Sequence, residues 1–235
     1  METLHHILFG IYPYIALATF LVGSVLTYNH KQRSWGSKSS QLLEGRRLKA
    51  GSLLFHSGIL LLFLGHLVGL LTPPAVFHAL GVAASTKQAL AMTAGGIFGT
   101  MTLVGLVILL HRRHTVRRVN QTSSRMDIFI LWLLLATLVL GLASIVSSAG
   151  HMDGHMMIQL MHWAQAVVTL QPAAHFLVEV PLIYKAHILL GLTVFLVFPF
   201  SRLVHIWSAP VGYVNRPYQL VRRRVPRAPG GQVPS

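Results

Sequence analysis

Four histidines lie in strongly apolar stretches of the sequence, two in each stretch. His56 and His66 belong to LLFHSGILLLFLGHLVGLLTPP, and His187 and His205 belong to AHILLGLTVFLVFPFSRLVHIWS. Ionisable side chains inside apolar spans are costly to bury and usually serve a function. Imidazole nitrogens bind metals, and a haem iron takes one axial ligand from each side. The four residues therefore favour metal or haem chemistry over hydrogen bonding between helices alone.

The segments that carry these histidines are long enough to cross a bilayer. A spanning helix needs about 20 mostly apolar residues. The chain has 235 residues, of which 53% are hydrophobic and only 10% are charged. Five segments qualify, at residues 7–28, 53–71, 88–110, 127–147 and 183–207. The sequence therefore predicts an all-α integral membrane bundle of five transmembrane helices.

Positive charge is concentrated in alternate connections between these segments. Sixteen Lys and Arg residues lie in residues 29–51, 111–125 and 209–235, whereas the other connections carry only Lys87 and Lys185. Cytoplasmic loops are enriched in Lys and Arg. The N-terminus is therefore expected outside and the C-terminus in the cytoplasm. The same distribution explains the net charge of +14 by contact with anionic lipid and predicts no nucleic-acid partner.

This topology pairs the four histidines by depth. His56 and His205 fall near the cytoplasm, and His66 and His187 fall nearer the outer face. At about 1.5 Å rise per residue, His187 and His205 would lie about 27 Å apart on one helix, against about 15 Å for the other two. Tilt and a kink at Pro199 would have to absorb that mismatch. Matched imidazole pairs predict two haems held between the second and fifth helices.

The cofactor type follows from residues that the sequence lacks. There is no cysteine, which excludes thiolate metal sites and covalent haem attachment. Two non-covalent b-type haems are therefore expected, and zinc is less favoured because carboxylates are missing from the spans. Gly65 and Gly69 flank His66 and favour either close helix packing or clearance for a flat cofactor. Arg202 is expected to pair with a haem propionate or to act as an interfacial cation.

The connection between the fourth and fifth spans is the longest on the predicted outer side. It contains Met, Leu, Trp and Val at helical spacing, which predicts a short helix along the membrane surface. No soluble domain fits between the spans, so residues 1–225 are expected to form one helical domain. Residues 226–235 are rich in Pro and Gly and are expected to form a disordered tail.

Several motifs resemble one known family. The chain is similar to the gamma, or cytochrome b, subunit of membrane-bound respiratory nitrate reductases over nearly its whole length, to about Arg224. The stretches that carry the resemblance are IYPYIA, LLFHSGIL, GHLVGLLTP, KQALAMTAGG, HMDG, WAQAVVT and FPFSRLVHIWSAPVGYVNRPYQLVR.

The resemblance implies a function and a set of partners. In the family, quinol is oxidised near the outer haem, and electrons pass inward through two haems whose ligands match His56 with His205 and His66 with His187. Lys87 matches a lysine of the quinol site, although an interfacial lysine is the alternative. An iron–sulfur beta subunit and a molybdenum-containing alpha subunit, which reduces nitrate, would dock on the cytoplasmic face. The location implied is the cytoplasmic membrane of a bacterium or archaeon.

Three other functions remain open at this point. The first is the same dihaem architecture serving a different terminal reductase. The second is a transporter or proton channel, in which intramembrane histidines serve as relays. The third is a membrane anchor without a redox role, in which case the four histidines would be replaceable.

Overall fold

The computed structural model describes residues 2–30, 45–150 and 152–207. Within these ranges the chain is helical and contains no strand. The predicted domain boundary at residue 225 and the predicted disordered tail, residues 226–235, lie outside the described residues.

Nine α-helices follow one another in the described ranges. They are α1 (Glu2–His6), α2 (Tyr12–His30), α3 (Arg46–Leu71), α4 (Pro74–Ala79), α5 (Ala84–Thr115), α6 (Arg117–Gln121), α7 (Arg125–Ala149), α8 (His155–Val168) and α9 (Leu182–Val197). A π-helical turn joins α1 to α2, and three 3-10 turns occur later; these turns are Ile7–Ile11, Ala174–Leu177, Phe198–Phe200 and Arg202–Ile206.

Five helical runs are long and apolar enough to cross a membrane. They are Glu2–His30, Arg46–Leu71, Ala84–Thr115, Arg125–Ala149 and Leu182–Phe200. The prediction of an all-α, five-helix membrane bundle is therefore confirmed. Helices α3 and α5 extend beyond the predicted apolar segments because their polar ends remain helical outside the apolar stretch.

Local signals in the sequence account for several helix ends. Pro73 and Pro74 follow the end of α3, and Pro74 opens α4, where a missing backbone N–H costs least. Helix α7 begins with a capping box, in which the Asp127 backbone N–H donates to Ser124 Oγ and the Ser124 N–H donates to Asp127 Oδ2, both at 3.1 Å. These ends fix where each long helix enters the bundle.

Glycines let α3 and α5 pack closely along much of their length. A Cβ at Gly105 would clash with the Phe55 backbone and lie 2.8 Å from the Gly51 carbonyl oxygen. Gly58 is equally crowded by Thr102. Helix α9 packs instead on α2 and α7. The two helices that carry three of the four histidines, α3 and α9, therefore have different packing partners.

The helix predicted in the long connection forms as α8. Its Trp163 is buried and donates from Nε1 to the Phe9 carbonyl at 3.1 Å. On the other side, Gln165 Nε2 donates to the carbonyls of Leu70 and Thr72 at 3.0 and 3.2 Å. Helix α8 thus satisfies carbonyls at the end of α3 that have no partner within that helix.

The fifth span differs from the prediction of a continuous helix kinked at Pro199. Helix α9 ends at Val197, a 3-10 turn follows, and Ser201 is extended, with φ −112° and ψ 175°. Proline removes a backbone donor and blocks helix continuation, and Ser201 Oγ then accepts from the Leu203 N–H at 3.2 Å to start a new turn. The helical spacing predicted between His187 and His205 is therefore wrong.

Replacing Gly105 with alanine should weaken the α3–α5 contact. The new methyl group meets rigid backbone, so we expect the free energy of unfolding to fall by about 1–3 kcal/mol, as for other overpacked cores. Gly96→Ala is the matched control, because a Cβ there meets nothing within 4 Å in residues 2–30, 45–150 and 152–207. Denaturant unfolding in detergent measures the free energy of unfolding of both variants. Equal values would contradict the close approach of α3 and α5 at Gly105.

Candidate functional site

The four intramembrane histidines meet as two facing pairs. The ring centroids of His56 and His205 lie 5.9 Å apart, with the ring planes inclined at 77°. Those of His66 and His187 lie 6.2 Å apart, with the planes at 41°. His205 reaches its partner from the 3-10 turn beyond the helix break rather than from α9 itself. The structure thus brings together the residues that the sequence pairs by depth.

Each imidazole is oriented by a backbone carbonyl at its Nδ1 atom. Two such contacts lie within α3, one lies in the turn after Ser201, and one crosses from α9 to α7. The Nδ1–oxygen distances are 2.8 Å for His56–Ser52, 2.8 Å for His66–Leu62, 2.6 Å for His205–Arg202 and 2.9 Å for His187–Thr137. Because a carbonyl only accepts, a neutral ring carries its proton on Nδ1 and its lone pair on Nε2. Metal-ligating histidines usually have this arrangement.

The ring separation in each pair fits a metal between two imidazoles. Nitrogens bound on opposite sides of one metal at about 2 Å each would place the ring centroids roughly 6 Å apart. Both observed distances agree with that value. Among the described residues, no group of three or more His, Cys, Asp or Glu is placed to hold a bare ion. A pair of imidazoles better suits a metal whose other ligands come from a macrocycle.

Gly65 and Gly69 flank His66 and differ from the packing glycines of α3. A Cβ at either position would meet no atom of the described residues within 4 Å. Close helix packing, one of the two explanations for these glycines, therefore has no support from the described part of the chain. The open space beside His66 is compatible with a flat group lying against α3.

Lys87 lies in the first turn of α5, so its predicted position in a loop before that helix is wrong. Helix α5 starts at Ala84, so Ser85, Thr86 and Lys87 are already helical before the predicted apolar segment begins. Lys87 is only 8% exposed. Its Nζ donates to the Gly69 carbonyl at 2.7 Å and to Met161 Sδ at 2.6 Å, and lies 4.0 Å from the centre of the Phe77 ring. This burial argues against an interfacial lysine that faces solvent.

Gln88, the next residue, connects α5 to the end of α7 and to the loop before α8. Sequence reasoning missed it. It is 2% exposed, accepts at Oε1 from the Gly154 N–H at 2.9 Å, and donates from Nε2 to the Ser148 carbonyl at 3.1 Å. A single glutamine has no recognisable spacing. The available signal was Gly154 in HMDG, which adopts φ 78° and turns the loop back towards α5.

Arg202 lies beside a carboxylate of the chain itself. Its Nε is 3.7 Å from Asp127 Oδ1, and Arg113 approaches Asp127 Oδ2 at the same distance. Asp127, in the first turn of α7, is therefore linked to Arg113 at the end of α5 and to Arg202 in the 3-10 turn that also carries His205. The guanidinium has five donors, so this contact is compatible with a further anionic partner such as a propionate. In the sequence Asp127 marks only the start of the fourth predicted span, so its contacts with the two arginines were not predicted.

Comparisons with known proteins agree along almost the whole chain. A family model described as nitrate reductase gamma subunit matches residues 5–224. The respiratory nitrate reductase 1 gamma chain of Escherichia coli (strain K12) is 48% identical, with 95% of this chain and 100% of the relative covered. The respiratory nitrate reductase 2 gamma chain of the same organism is 44% identical, with 95% and 99% covered. The nitrate reductase gamma chain of Bacillus subtilis (strain 168) is 39% identical, with 93% and 98% covered.

Asp127→Asn should loosen the region around His205. The amide keeps an oxygen for the Ser124 cap but gives up the negative charge shared by two arginines, so we expect a loss of about 1–3 kcal/mol in the free energy of unfolding. Asp153→Asn is the control, because that carboxylate accepts only a local bond from the His155 N–H among the contacts seen. Thermal unfolding in detergent measures the Tm of both variants. Equal Tm values would contradict a stabilising role for the contacts of Asp127 with Arg113 and Arg202.

Proposed function

The chain belongs to the nitrate reductase gamma subunit family, and on that basis we propose that it is the quinol-oxidising dihaem cytochrome b of a respiratory nitrate reductase. Members of this family are the membrane subunit of a multi-subunit complex. The observation that carries the proposal is the pair of imidazole couples, each about 6 Å between ring centres and each with Nδ1 held by carbonyls. Nitrate reduction itself belongs to another subunit.

The four histidines would hold two b-type haems without covalent bonds. His56 and His205 hold one haem, and His66 and His187 hold the other. When bound, the haems supply single-electron redox chemistry. The chain's own contribution is to present Nε2 from both sides, since the carbonyls at Nδ1 fix the tautomer and the ring direction.

Lys87 is the proposed quinol-binding residue near the His66–His187 haem. Its Nζ already contacts the carbonyl of Gly69, three residues after His66. A thioether is a weak hydrogen-bond acceptor. A quinol oxygen would therefore replace Met161 Sδ as the better partner, while the bond to Gly69 keeps the ammonium group next to the haem site.

The charge distribution supports an orientation for the electron path. The end that carries α8 would face outwards, and the basic C-terminal side would face the cytoplasm, where iron–sulfur beta and molybdenum alpha subunits dock. Quinol protons are then released outside while electrons move inwards. This separation is worth about 2.3 kcal/mol per electron at 100 mV. The proposed location is the cytoplasmic membrane of a bacterium or archaeon.

Replacing single histidines should remove one haem at a time. We expect His187→Ala to lack the haem near α8 and to retain the other, because only one of the two pairs loses a ligand. His205→Ala should show the converse. Reduced-minus-oxidised spectra of purified protein with a haem-to-protein ratio report both. A wild-type protein without haem, or variants that lose both haems together, would contradict the pairing and favour a relay or an anchor.

Replacing Lys87 with methionine should impair quinol binding and leave the haems in place. A hydrogen bond to a charged group contributes about 1.5–3 kcal/mol, so the KM for quinol should rise about 10-fold or more. Lys185→Met is the matched control, because that lysine is only partly buried and its Nζ donates to the Val178 carbonyl at 2.9 Å. Steady-state quinol oxidation measures the KM, and equal values in both variants would exclude this role.

A further inference from the structure

His187 is oriented differently from the other three histidines. His56, His66 and His205 find their Nδ1 partners three or four residues earlier in the chain. His187 takes its partner from another helix, the Thr137 carbonyl of α7, fifty residues away and at 2.9 Å. The direction of this one ring therefore depends on how α7 and α9 pack together.

The Thr137 carbonyl is reachable because of the residue one turn later. In an α-helix the Cα–Cβ bond tilts towards the N-terminus, so a side chain covers the turn that precedes it. The residue that would cover the Thr137 carbonyl is Gly141, which has no side chain. A Cβ at Gly141 would lie 2.8 Å from His187 Cε1 and 3.3 Å from its Nδ1. The imidazole thus occupies the space that any other residue at position 141 would fill.

We propose that Gly141 is the positioning residue for the His66–His187 haem site. Its missing side chain lets the His187 ring lie against α7, where the Thr137 carbonyl holds the proton on Nδ1 and directs Nε2 towards His66. This inference rests on the proposed dihaem function. It adds a third helix, α7, to a site whose ligands come from α3 and α9.

A second set of contacts fixes the height of α9 on the same face of α7. Ser144 and Ser148 follow Gly141 by three and seven residues, which places all three on one face. Tyr184 lies one turn before His187 and is 7% exposed. Its hydroxyl shares a hydrogen bond of 2.7 Å with Ser148 Oγ and donates to the Ser144 carbonyl at 3.2 Å. A bulkier residue 141 therefore cannot be accommodated by sliding α9 without breaking these bonds.

Loss of the Thr137 contact has a defined consequence for a metal ligand. A hydrogen bond from Nδ1 to a carbonyl makes the imidazole a stronger donor to a metal, and loss of such a partner typically costs about 10- to 100-fold in affinity. A stronger donor stabilises the oxidised metal. Where the haem between His66 and His187 is still bound, weakening the His187 donor should therefore raise the midpoint potential of that haem.

Gly141→Ala tests this inference in the full-length chain assembled in its native membranes. We expect the haem held by His66 and His187 to be bound at least about 10-fold more weakly or to titrate at a higher potential. The haem held by His56 and His205 should be unchanged. Gly96→Ala is the control, because a methyl group there meets none of the described residues within 4 Å. Potentiometric titration followed by haem absorbance, with haem content per protein, reports each site separately.

The outcomes separate this inference from the proposed function. A wild-type chain without two haems overturns the function itself. A dihaem wild type whose Gly141→Ala variant keeps both haems at unchanged potentials overturns only the role of Gly141, as does equal loss of both haems. If Gly141→Ala fails to assemble, Tyr184→Phe decides, because it removes the hydroxyl contacts and keeps the ring. It should shift the potential of the His66–His187 haem alone, and unchanged potentials overturn the inference.

Discussion

The contact between a backbone carbonyl and Nδ1 of each intramembrane imidazole is the constraint on which the site depends. Without it, a histidine in an apolar span would rotate freely and expose either nitrogen. With it, each ring has one proton position and one direction. Three of these contacts are built within a single turn of chain, so they form as soon as that turn forms. The fourth exists only after α7 and α9 have packed.

The same helix, α3, uses glycine in two opposite ways. Gly51 and Gly58 lie where α5 approaches within backbone contact, and a side chain there would separate the helices. Gly65 and Gly69, further along, have no such neighbour in the part of the chain that the structure describes. One half of α3 is thus anchored by close packing, and the other half is kept clear beside His66. Anchoring on α5 allows α3 to present its two imidazoles towards those of His187 and His205.

Much of this arrangement was predictable from the sequence, and the exceptions have physical reasons. Long apolar segments specify five helices because the length of a span and its composition are set by the bilayer. The break after Val197 was underestimated, because Pro199 alone suggests a kink, whereas Ser201 starts a separate turn. The sequence places Lys87 in a loop because this charged residue precedes the apolar segment, whereas the helix already begins at Ala84. The contacts of Asp127 with Arg113 and Arg202 and the role of Gly141 left no pattern in the sequence, since they depend on residues far along the chain.

The break at Ser201 makes the two histidine pairs mechanically unequal. His66 and His187 both belong to long helices, so separating their rings requires two packed helices to move apart. His205 stands on five residues of 3-10 turn that are held by a serine cap and the Asp127 contact. His205 therefore depends on a short turn for its position, whereas His66 and His187 depend on long helices. A flat molecule that enters between the rings would therefore displace a short turn at the His56–His205 pair, but two long helices at the His66–His187 pair.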